Sequence, residues 1–330
     1  MTVRITIIGL GQIGTSVGLA LAEHNKLVYR VGHDIDLANA RLAEKMGAVD
    51  KVMINLPNSV READIILLSL PIDQIRDTLS VIASDLKEGA VVMDTGPVKE
   101  VVASWAKESL PAECFYVGLT PVLNPAYLHE VGSGTQAAYA DLFRNGLMAI
   151  VSPPGTPSEA IKLAADLTRL LGSSPLFADP LEIDGLMAAT HILPQLMAAA
   201  LLNATVDQPG WQEGRKVAGR AYAEATRPVV HATESKTLRE SALLNRQNVL
   251  RRIDGAIASL QAIRNDIDND DSEALEVRLS RARQGQEQWW QQRLAADWAN
   301  EGIPRTETPK TSDLFGRLIG IGRKPKEDEE

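Results

Sequence analysis

From residue 1 to about 179, apolar runs of four to seven residues alternate with segments whose apolar positions recur every three or four residues. Runs that short and that continuous are strands buried on both faces, and the intervening periodic segments are helices covering a parallel sheet. The pattern predicts strands over 3–8, 27–31, 65–70, 90–93, 114–119, 147–151 and 175–178, with helices near 12–23, 36–46, 73–84, 97–108, 135–144 and 157–171. From about 180 onward the strand signal fades, and helical patterns occupy 180–206, 212–232, 234–268 and 271–299. Pro194 lies inside the first of these and should kink it, because proline lacks a backbone donor and its ring clashes with the preceding turn. The expected fold is therefore an α/β, Rossmann-type doubly wound domain over 1–179, followed by an all-α domain over 180–300. A polar linker and C-terminal tail fill 301–330, with a short apolar patch from Leu314 to Ile321.

The first strand runs into Gly9-Leu10-Gly11-Gln12-Ile13-Gly14, three glycines at the spacing of a phosphate-binding turn. Gly9 permits a tight turn, Gly11 lets the backbone approach a pyrophosphate, and Gly14 lets the following helix pack closely, with its first N–H groups facing the anion. The next strand ends in His33-Asp34, which sets a carboxylate twenty residues after Gly14, where an acceptor for adenosine ribose hydroxyls is expected. Asp34 and the nearby Asp36 should repel a 2′-phosphate, so NAD is favoured over NADP. Ligands of such sheets bind beyond the carboxyl ends of the strands. Gly9 to Gly14, Asp34, Ser69-Leu70-Pro71, Asp94 to Lys99 and Gly118 to Pro121 should thus share one edge.

Composition narrows the function classes. A net charge of −9 with no large basic cluster argues against nucleic-acid or anionic-membrane binding. The single cysteine, Cys114, excludes an intramolecular disulfide framework and a cysteine-rich metal site. No uncharged apolar stretch of about 18 residues is read in the chain and the N-terminus enters a strand at once, so a cytoplasmic protein is expected. No His/Asp/Glu spacing points to a metal, and no Ser–His–Asp arrangement is readable.

Several landmarks resemble, in order, those of the prephenate and arogenate dehydrogenases of tyrosine biosynthesis. Beyond the glycine turn with Asp34 they are Ala63 to Pro71, Asp94-Thr95-Gly96-Pro97-Val98-Lys99, and Val117-Gly118-Leu119-Thr120-Pro121. The last two are similar to the family's D-x-x-S-V-K and G-G-H-P turns. Asp184, Ala188 and His191-Ile192-Leu193-Pro194-Gln195 align with its H-D-x-x-x-A-x-x-S-H-L-P-H helix. Ala225-Thr226-Arg227 resembles its M-T-R segment, and Leu244 to Leu250 its S-N-R-x-N-V-L helix. The resemblance implies NAD as cofactor, a helical C-terminal domain like that of 6-phosphogluconate dehydrogenase, an intertwined homodimer, and a small carboxylate substrate. The implied reaction passes hydride to nicotinamide while the ring carboxylate leaves as carbon dioxide.

This chain departs from the family where the chemistry should be. The G-G-H-P histidine is matched by Thr120, the D-x-x-S-V-K serine by Pro97, and the helical motif's serine and two histidines by His191, Ile192 and Gln195. Arg227 alone of the polar substrate set is unchanged. By resemblance Thr120 and His191 meet the reacting hydroxyl, Arg227 holds a substrate carboxylate, and Gln195 and Pro97 line the substrate. A threonine hydroxyl can orient a substrate but cannot take a proton at neutral pH as imidazole does. Pro97 should favour the first turn of the following helix. Lys99 either forms a salt bridge or serves as acid or base for another hydroxy acid. His33 should lie beside the adenine ribose, while His24, His129 and His231 have no motif context. A dehydrogenase of another hydroxy acid and a non-catalytic NAD-binding regulator both stay open.

Overall fold

A computed structural model describes residues 2–231 and 235–296. The tail expected over 301–330 and its apolar patch lie outside the described residues. Two compact units divide between Ile183 and Asp184.

The first unit is built on one eight-stranded sheet. Its strands are β1 (Val3–Ile8), β2 (Val28–His33), β3 (Lys51–Val52), β4 (Ile65–Leu68), β5 (Val91–Asp94), β6 (Phe115–Val122), β7 (Leu147–Val151) and β8 (Ser174–Phe177), in the spatial order β3-β2-β1-β4-β5-β6-β7-β8. The helices are α1 (Gln12–Leu21), α2 (Leu37–Lys45), α3 (Leu56–Val60), α4 (Ile72–Ile82), α5 (Glu100–Ser109) and α6 (Ser158–Leu170). Central strands are apolar throughout because both faces are covered, and β4, Ile-Ile-Leu-Leu, is buried at every position. Helix α4 buries Ile72, Ile75, Leu79 and Ile82, an i, i+3, i+7, i+10 stripe, and leaves Asp73, Arg76 and Asp77 off that face. One apolar cluster runs from Ile5 and Ile7 through Leu67, Met93 and Val117 to Ile150 and Leu167.

The sheet departs from the all-parallel expectation at β7, which pairs antiparallel with β6. A parallel return needs a crossover long enough to traverse the sheet, usually a helix. The helix expected over 135–144 does not form. Residues 123–146 contain only the one-turn 3-10 segments Pro125–Tyr127 and Thr135–Ala137, and Asn124 N donates to Leu142 O at 2.8 Å, so the chain turns back directly. Leu142 and Phe143, which gave the segment its apolar rhythm, fill the core as turn residues. The short β3 and α3 carry no clear periodic signal in the sequence. Helix α5 starts at Glu100, not at 97, so Pro97 belongs to the turn before it and not to its first turn.

The second unit is all-helical. Helix α7 (Pro180–Met187) enters it and continues through a π turn (Ala188–Ile192) into α8 (Leu193–Thr205). There follow α9 (Trp211–Val217), α10 (Arg220–Thr226), α11 (Pro228–His231), α12 (Ser235–Leu244), α13 (Arg246–Asp268) and α14 (Ser272–Ala295). The single helices expected over 212–232 and 234–268 are thus divided, the first at Ala218-Gly219 and before Pro228, the second at Asn245. A proline cannot donate and disfavours helical backbone in the residue before it, which accounts for the break at Pro228. Among the described residues the run Pro180–Thr205 is the one helical stretch long and apolar enough, by length and composition alone, to cross a membrane, a test that core helices also pass. A small core of Ala188, Ile192 and Val249, flanked by Leu196, Leu238 and Ile253, holds the unit together. Beside it lies a polar interior in which Asn245 Nδ2 donates to Asp184 O at 2.7 Å and Asn248 Nδ2 to Asn245 Oδ1 at 2.8 Å.

Candidate functional site: the nucleotide edge of the sheet

His33, Ile8, Leu68, Asp94 and Gly118 form one row across five strands, so the residues after each of them emerge at the same edge. Gly9 turns there with φ +91°, and a Cβ on it would stand 2.3 Å from Ser69 O. A Cβ on Gly14 would stand 2.0 Å from Gly9 O, whereas one on Gly11 would meet nothing within 4 Å. Two of the glycines therefore allow backbone to meet backbone, and the middle one faces open space. Gly11, Gln12 and Ile13 begin α1, where first-turn N–H groups have no acceptor within the helix. An anion above Gly11 would meet those donors and the positive end of the helix. The turn fits a dinucleotide pyrophosphate.

Asp34 is tied to this turn. Its Oδ2 accepts from Leu10 N at 2.7 Å and its Oδ1 from Asp36 N at 2.8 Å. Each carboxylate oxygen has a second lone pair, so ribose hydroxyls can still be accepted. Asp36 is spent on capping α2, its Oδ1 accepting from Ala38 N at 2.8 Å. His33 turns its Nδ1 toward Met53 O at 2.9 Å, which assigns the proton to Nδ1 in the neutral ring. Ser69, Leu70 and Pro71 follow β4, half-buried, and Pro71 precedes the first turn of α4.

Asp94, expected among the cofactor-side residues, turns its carboxylate inward. Its carboxylate is wholly buried and accepts from Gly96 N at 2.7 Å, Lys99 Nζ at 2.8 Å and the Tyr116 hydroxyl at 2.5 Å. Asp94 thus holds the turn 94–99 from within. Lys99 resolves the same way, as the salt-bridge alternative. Its side chain is 0% exposed, and Gly118 makes room for it, since a Cβ there would lie 2.8 Å from Lys99 Cδ. Pro97, half-buried, sits in the turn this network shapes. Tyr116, the third member, carries no motif signal in the sequence.

Thr120 lies on β6, two residues beyond the Gly118 row and on the same face as Tyr116 and Gly118, by strand alternation. It is 4% exposed, and its Oγ1 is buried without a hydrogen-bond partner among the described residues. Such a group costs about 1–3 kcal/mol when left unsatisfied, and a hydroxyl can both donate and accept.

In the helical unit, His191 lies in the π turn and Gln195 in the first turn of α8. His191 reaches solvent, yet the desolvating protein around the imidazole lowers its pKa below the usual histidine value. Gln195 is 8% exposed and its Nε2 donates to His191 O at 2.8 Å. That bond uses one of the two hydrogens of its amide. Arg227 is half-buried at the junction of α10 and α11, both of which pack on α8. His24 ends a 3-10 turn after α1, and His129 sits in the 123–146 segment. Among the described residues no group of His, Cys, Asp and Glu could hold a metal ion.

A glycine turn at the carboxyl edge of a mostly parallel sheet, with an acid at the end of the second strand and a helical unit next in the chain, defines a nucleotide-dependent dehydrogenase scaffold. Residues 17–174 match the family model described as prephenate dehydrogenase, nucleotide-binding domain, and residues 179–281 that described as prephenate dehydrogenase, dimerization domain. The chain belongs to the prephenate dehydrogenase family. It is 26% identical over 273 residues to a prephenate dehydrogenase of Bacillus subtilis, covering 82% of this chain and 72% of that one. It is 27% identical over 279 residues to a cyclohexadienyl dehydrogenase of Zymomonas mobilis, covering 82% and 91%. Among solved structures, the prephenate dehydrogenase of A. aeolicus in complex with hydroxyphenyl propionate and NAD+ has the same fold, with TM-score 0.76, 21% identity and coverage of 87% and 98%. Synechocystis arogenate dehydrogenase is similar in fold at TM-score 0.69 and 21% identity, covering 87% and 99%.

Proposed function

We propose that the protein is an NAD-dependent dehydrogenase of the prephenate type, acting on prephenate or arogenate. Bound nicotinamide supplies the hydride acceptor. The ring carbon bearing the 4-hydroxyl loses hydride, the bond to the ring carboxylate breaks to release carbon dioxide, and its electron pair completes the aromatic ring. The hydroxyl proton is shared with a neighbouring base or solvent while the oxygen gains carbonyl character and returns to it as the ring becomes aromatic, so the phenol product keeps it and no net proton is released. The observation that carries the reading is the pairing, on one edge of one sheet, of the glycine turn held by Asp34 with the unpartnered Thr120 hydroxyl. In a chain that belongs to this family, that hydroxyl stands at the position of the histidine of its G-G-H-P turn.

Thr120 orients the reacting hydroxyl by a hydrogen bond and takes no proton itself. Arg227, with its rigid donor fork, holds a substrate carboxylate. His191, an accessible imidazole that is neutral near pH 7, is the titratable group assigned to the reacting hydroxyl. Losing a positioned general base typically costs about 10²–10⁴-fold in rate, so a slow enzyme is expected. Burial of Lys99 argues against the alternative in which a lysine serves a different hydroxy acid.

Dimerisation accompanies this reading. On α13, Leu250 and Ile257, and again Leu260 and Ile267, are exposed apolar pairs spaced seven residues apart, a repeat that suits helix-to-helix burial. A cytoplasmic homodimer is the corresponding assembly, and it accounts for the apolar run Pro180–Thr205 as interface and core in place of a membrane span. Single-turnover mixing of enzyme and NAD with prephenate or with arogenate, followed by NADH formation, tests the activity. NADH with either substrate supports the proposal. None with both, alongside measurable NAD binding, defeats it and favours the NAD-binding regulator.

A further inference from the structure

The chain between β6 and β7 closes on itself as a compact loop. Asn124 pins its base to the far limb, N to Leu142 O at 2.8 Å and Nδ2 to Asp141 O at 3.2 Å. Inside, Tyr127 stacks on Tyr139 with ring centroids 4.3 Å apart, and the Tyr127 hydroxyl donates to Asp141 Oδ1 at 2.5 Å. A loop packed by its own side chains in this way is frequently functional. Residues 128–134 are exposed, but the limb that returns from them is anchored. Thr135 Oγ1 donates to Leu10 O at 2.5 Å, Gln12 Nε2 donates to Ala137 O at 2.9 Å, and Tyr139 N donates to Ser16 Oγ at 3.0 Å. Three ties thus join this loop to the glycine turn and α1, across some 125 residues of sequence.

The tie at Leu10 bears directly on phosphate binding. Leu10 O also accepts from Thr15 Oγ1 at 2.8 Å, and Leu10 N donates to Asp34 Oδ2 at 2.7 Å, so the residue is held at both ends. Leu10 O and Gly11 N–H belong to one planar trans peptide and point in opposite directions. Drawing the oxygen toward Thr135 and Thr15 therefore aims the Gly11 N–H the other way. Hydrogen bonds accepted by a carbonyl also polarise the amide it shares, which strengthens the donor.

We propose that the 124–142 loop is a strap that sets the aim of the Gly11 amide, with Thr135 a positioning residue for the dinucleotide pyrophosphate. The proposal rests on NAD as the cofactor. Thr135 is 3% exposed and touches no reacting group, so it acts through Leu10 and Gly11 alone. It also ties the strand that carries Thr120 to the turn that holds the cofactor, since the strap begins two residues after β6 ends.

The test compares full-length wild type, Thr135→Val and Thr135→Ser for binding of NAD, ADP-ribose and adenosine, by calorimetry and by competition with NAD. Thr135→Val should weaken NAD and ADP-ribose by about three- to tenfold, the worth of one neutral hydrogen bond. Adenosine, which lacks phosphate, should bind it as it binds wild type, and Thr135→Ser should restore NAD affinity. At saturating NAD the turnover of Thr135→Val should stay within about twofold of wild type, a KM effect without a kcat effect. Ser16→Ala, which removes a different tie, should shift NAD affinity in the same direction and serves if Thr135→Val does not fold. Unchanged NAD affinity in a folded variant, or equal loss for adenosine and ADP-ribose, overturns the strap. Wild type that fails to bind NAD overturns the cofactor reading itself.

Discussion

Replacing Thr120 by valine should stabilise the protein and slow it, two effects of opposite sign from one atom. The side chains have nearly the same shape, and valine suits a strand position at least as well. The change is confined to Oγ1, which in wild type is buried with no partner among the described residues. An unsatisfied buried hydroxyl costs about 1–3 kcal/mol, and a methyl in its place contributes instead of costing. Taking the middle of that range, about 2 kcal/mol, and a response of about 2–4 °C per kcal/mol for a unit of this size, the ligand-free melting temperature should rise by about 4–8 °C. Turnover should move the other way, because the substrate hydroxyl loses its hydrogen bond. One neutral bond is worth about three- to tenfold in kcat, and more if the oxygen gains charge as hydride leaves. Thermal unfolding of the ligand-free protein and steady-state NADH formation read the two halves separately. A melting temperature that falls in Thr120→Val would refute the reasoning, since it would mean that the hydroxyl is already satisfied in the free protein. A rise in stability with unchanged turnover would remove Thr120 from the reaction and leave it an unexplained buried hydroxyl.

The same geometry sets other outcomes. Asp34→Ser should weaken NAD and relax discrimination against NADP, as seen in parallel titrations of both cofactors, because the ribose acceptor and the charge opposing a 2′-phosphate are lost together. Lys99→Met should destabilise by about 3–5 kcal/mol, leaving Asp94 buried without its cation. Lys99→Met/Asp94→Asn should recover part of that loss in denaturant unfolding, and an undisturbed Lys99→Met would mean the pair is not closed in solution. Stability should also fall as pH drops below His191's ordinary value of 6.5. The folded protein holds that imidazole at a lowered pKa, so the unfolded chain binds the proton first; the contribution is complete above 6.5 and is lost on the way down to the folded value. His191→Asn should flatten that part of the pH–stability curve.

Much of the fold was legible because one physical signal determined each feature. The unbroken apolar runs at 65–68 and 147–151 can only be strands buried on both faces, and Gly9, Gly14 and Asp34 occupy positions that backbone crowding and a single hydrogen bond require. The features that were not legible depended on partners distant in sequence. Helical rhythm at 135–144 is equally the rhythm of a loop whose Leu142 and Phe143 fill a core and whose Thr135 serves Leu10, and no local pattern separates the two. Asp94 looked like a cofactor ligand from its place at the end of β5. Only Tyr116, a strand away, and Lys99, wrapped over Gly118, turn it inward. The motif position of Gln195 likewise gives no sign that its amide also donates to the His191 carbonyl.

That interruption also decides what His191 can replace. Pro194 has no N–H to give, and its ring would press on the carbonyl four residues back. The helix answers with a π turn: Leu193 N donates to Ala188 O, and the Gln195 side chain takes the His191 carbonyl. A turn closed over five residues carries one more residue than an α turn, so the positions C-terminal to it are rotated by about 100° from where α-helical counting puts them. Ile192, which aligns with the first histidine of the family's motif, is the last residue of this turn. It is 0% exposed and packs with Ala188 and Val249, while His191 beside it reaches solvent. Restoring the motif by Ile192→His should therefore fail. The imidazole would enter an apolar pocket without a partner, at a cost of about 1–3 kcal/mol on top of the lost packing, and turnover should not rise. Melting temperature and kcat measured on that variant decide it. A stable Ile192→His enzyme with faster turnover would mean that position 192 faces substrate, and that the π turn does not set the direction of this helix.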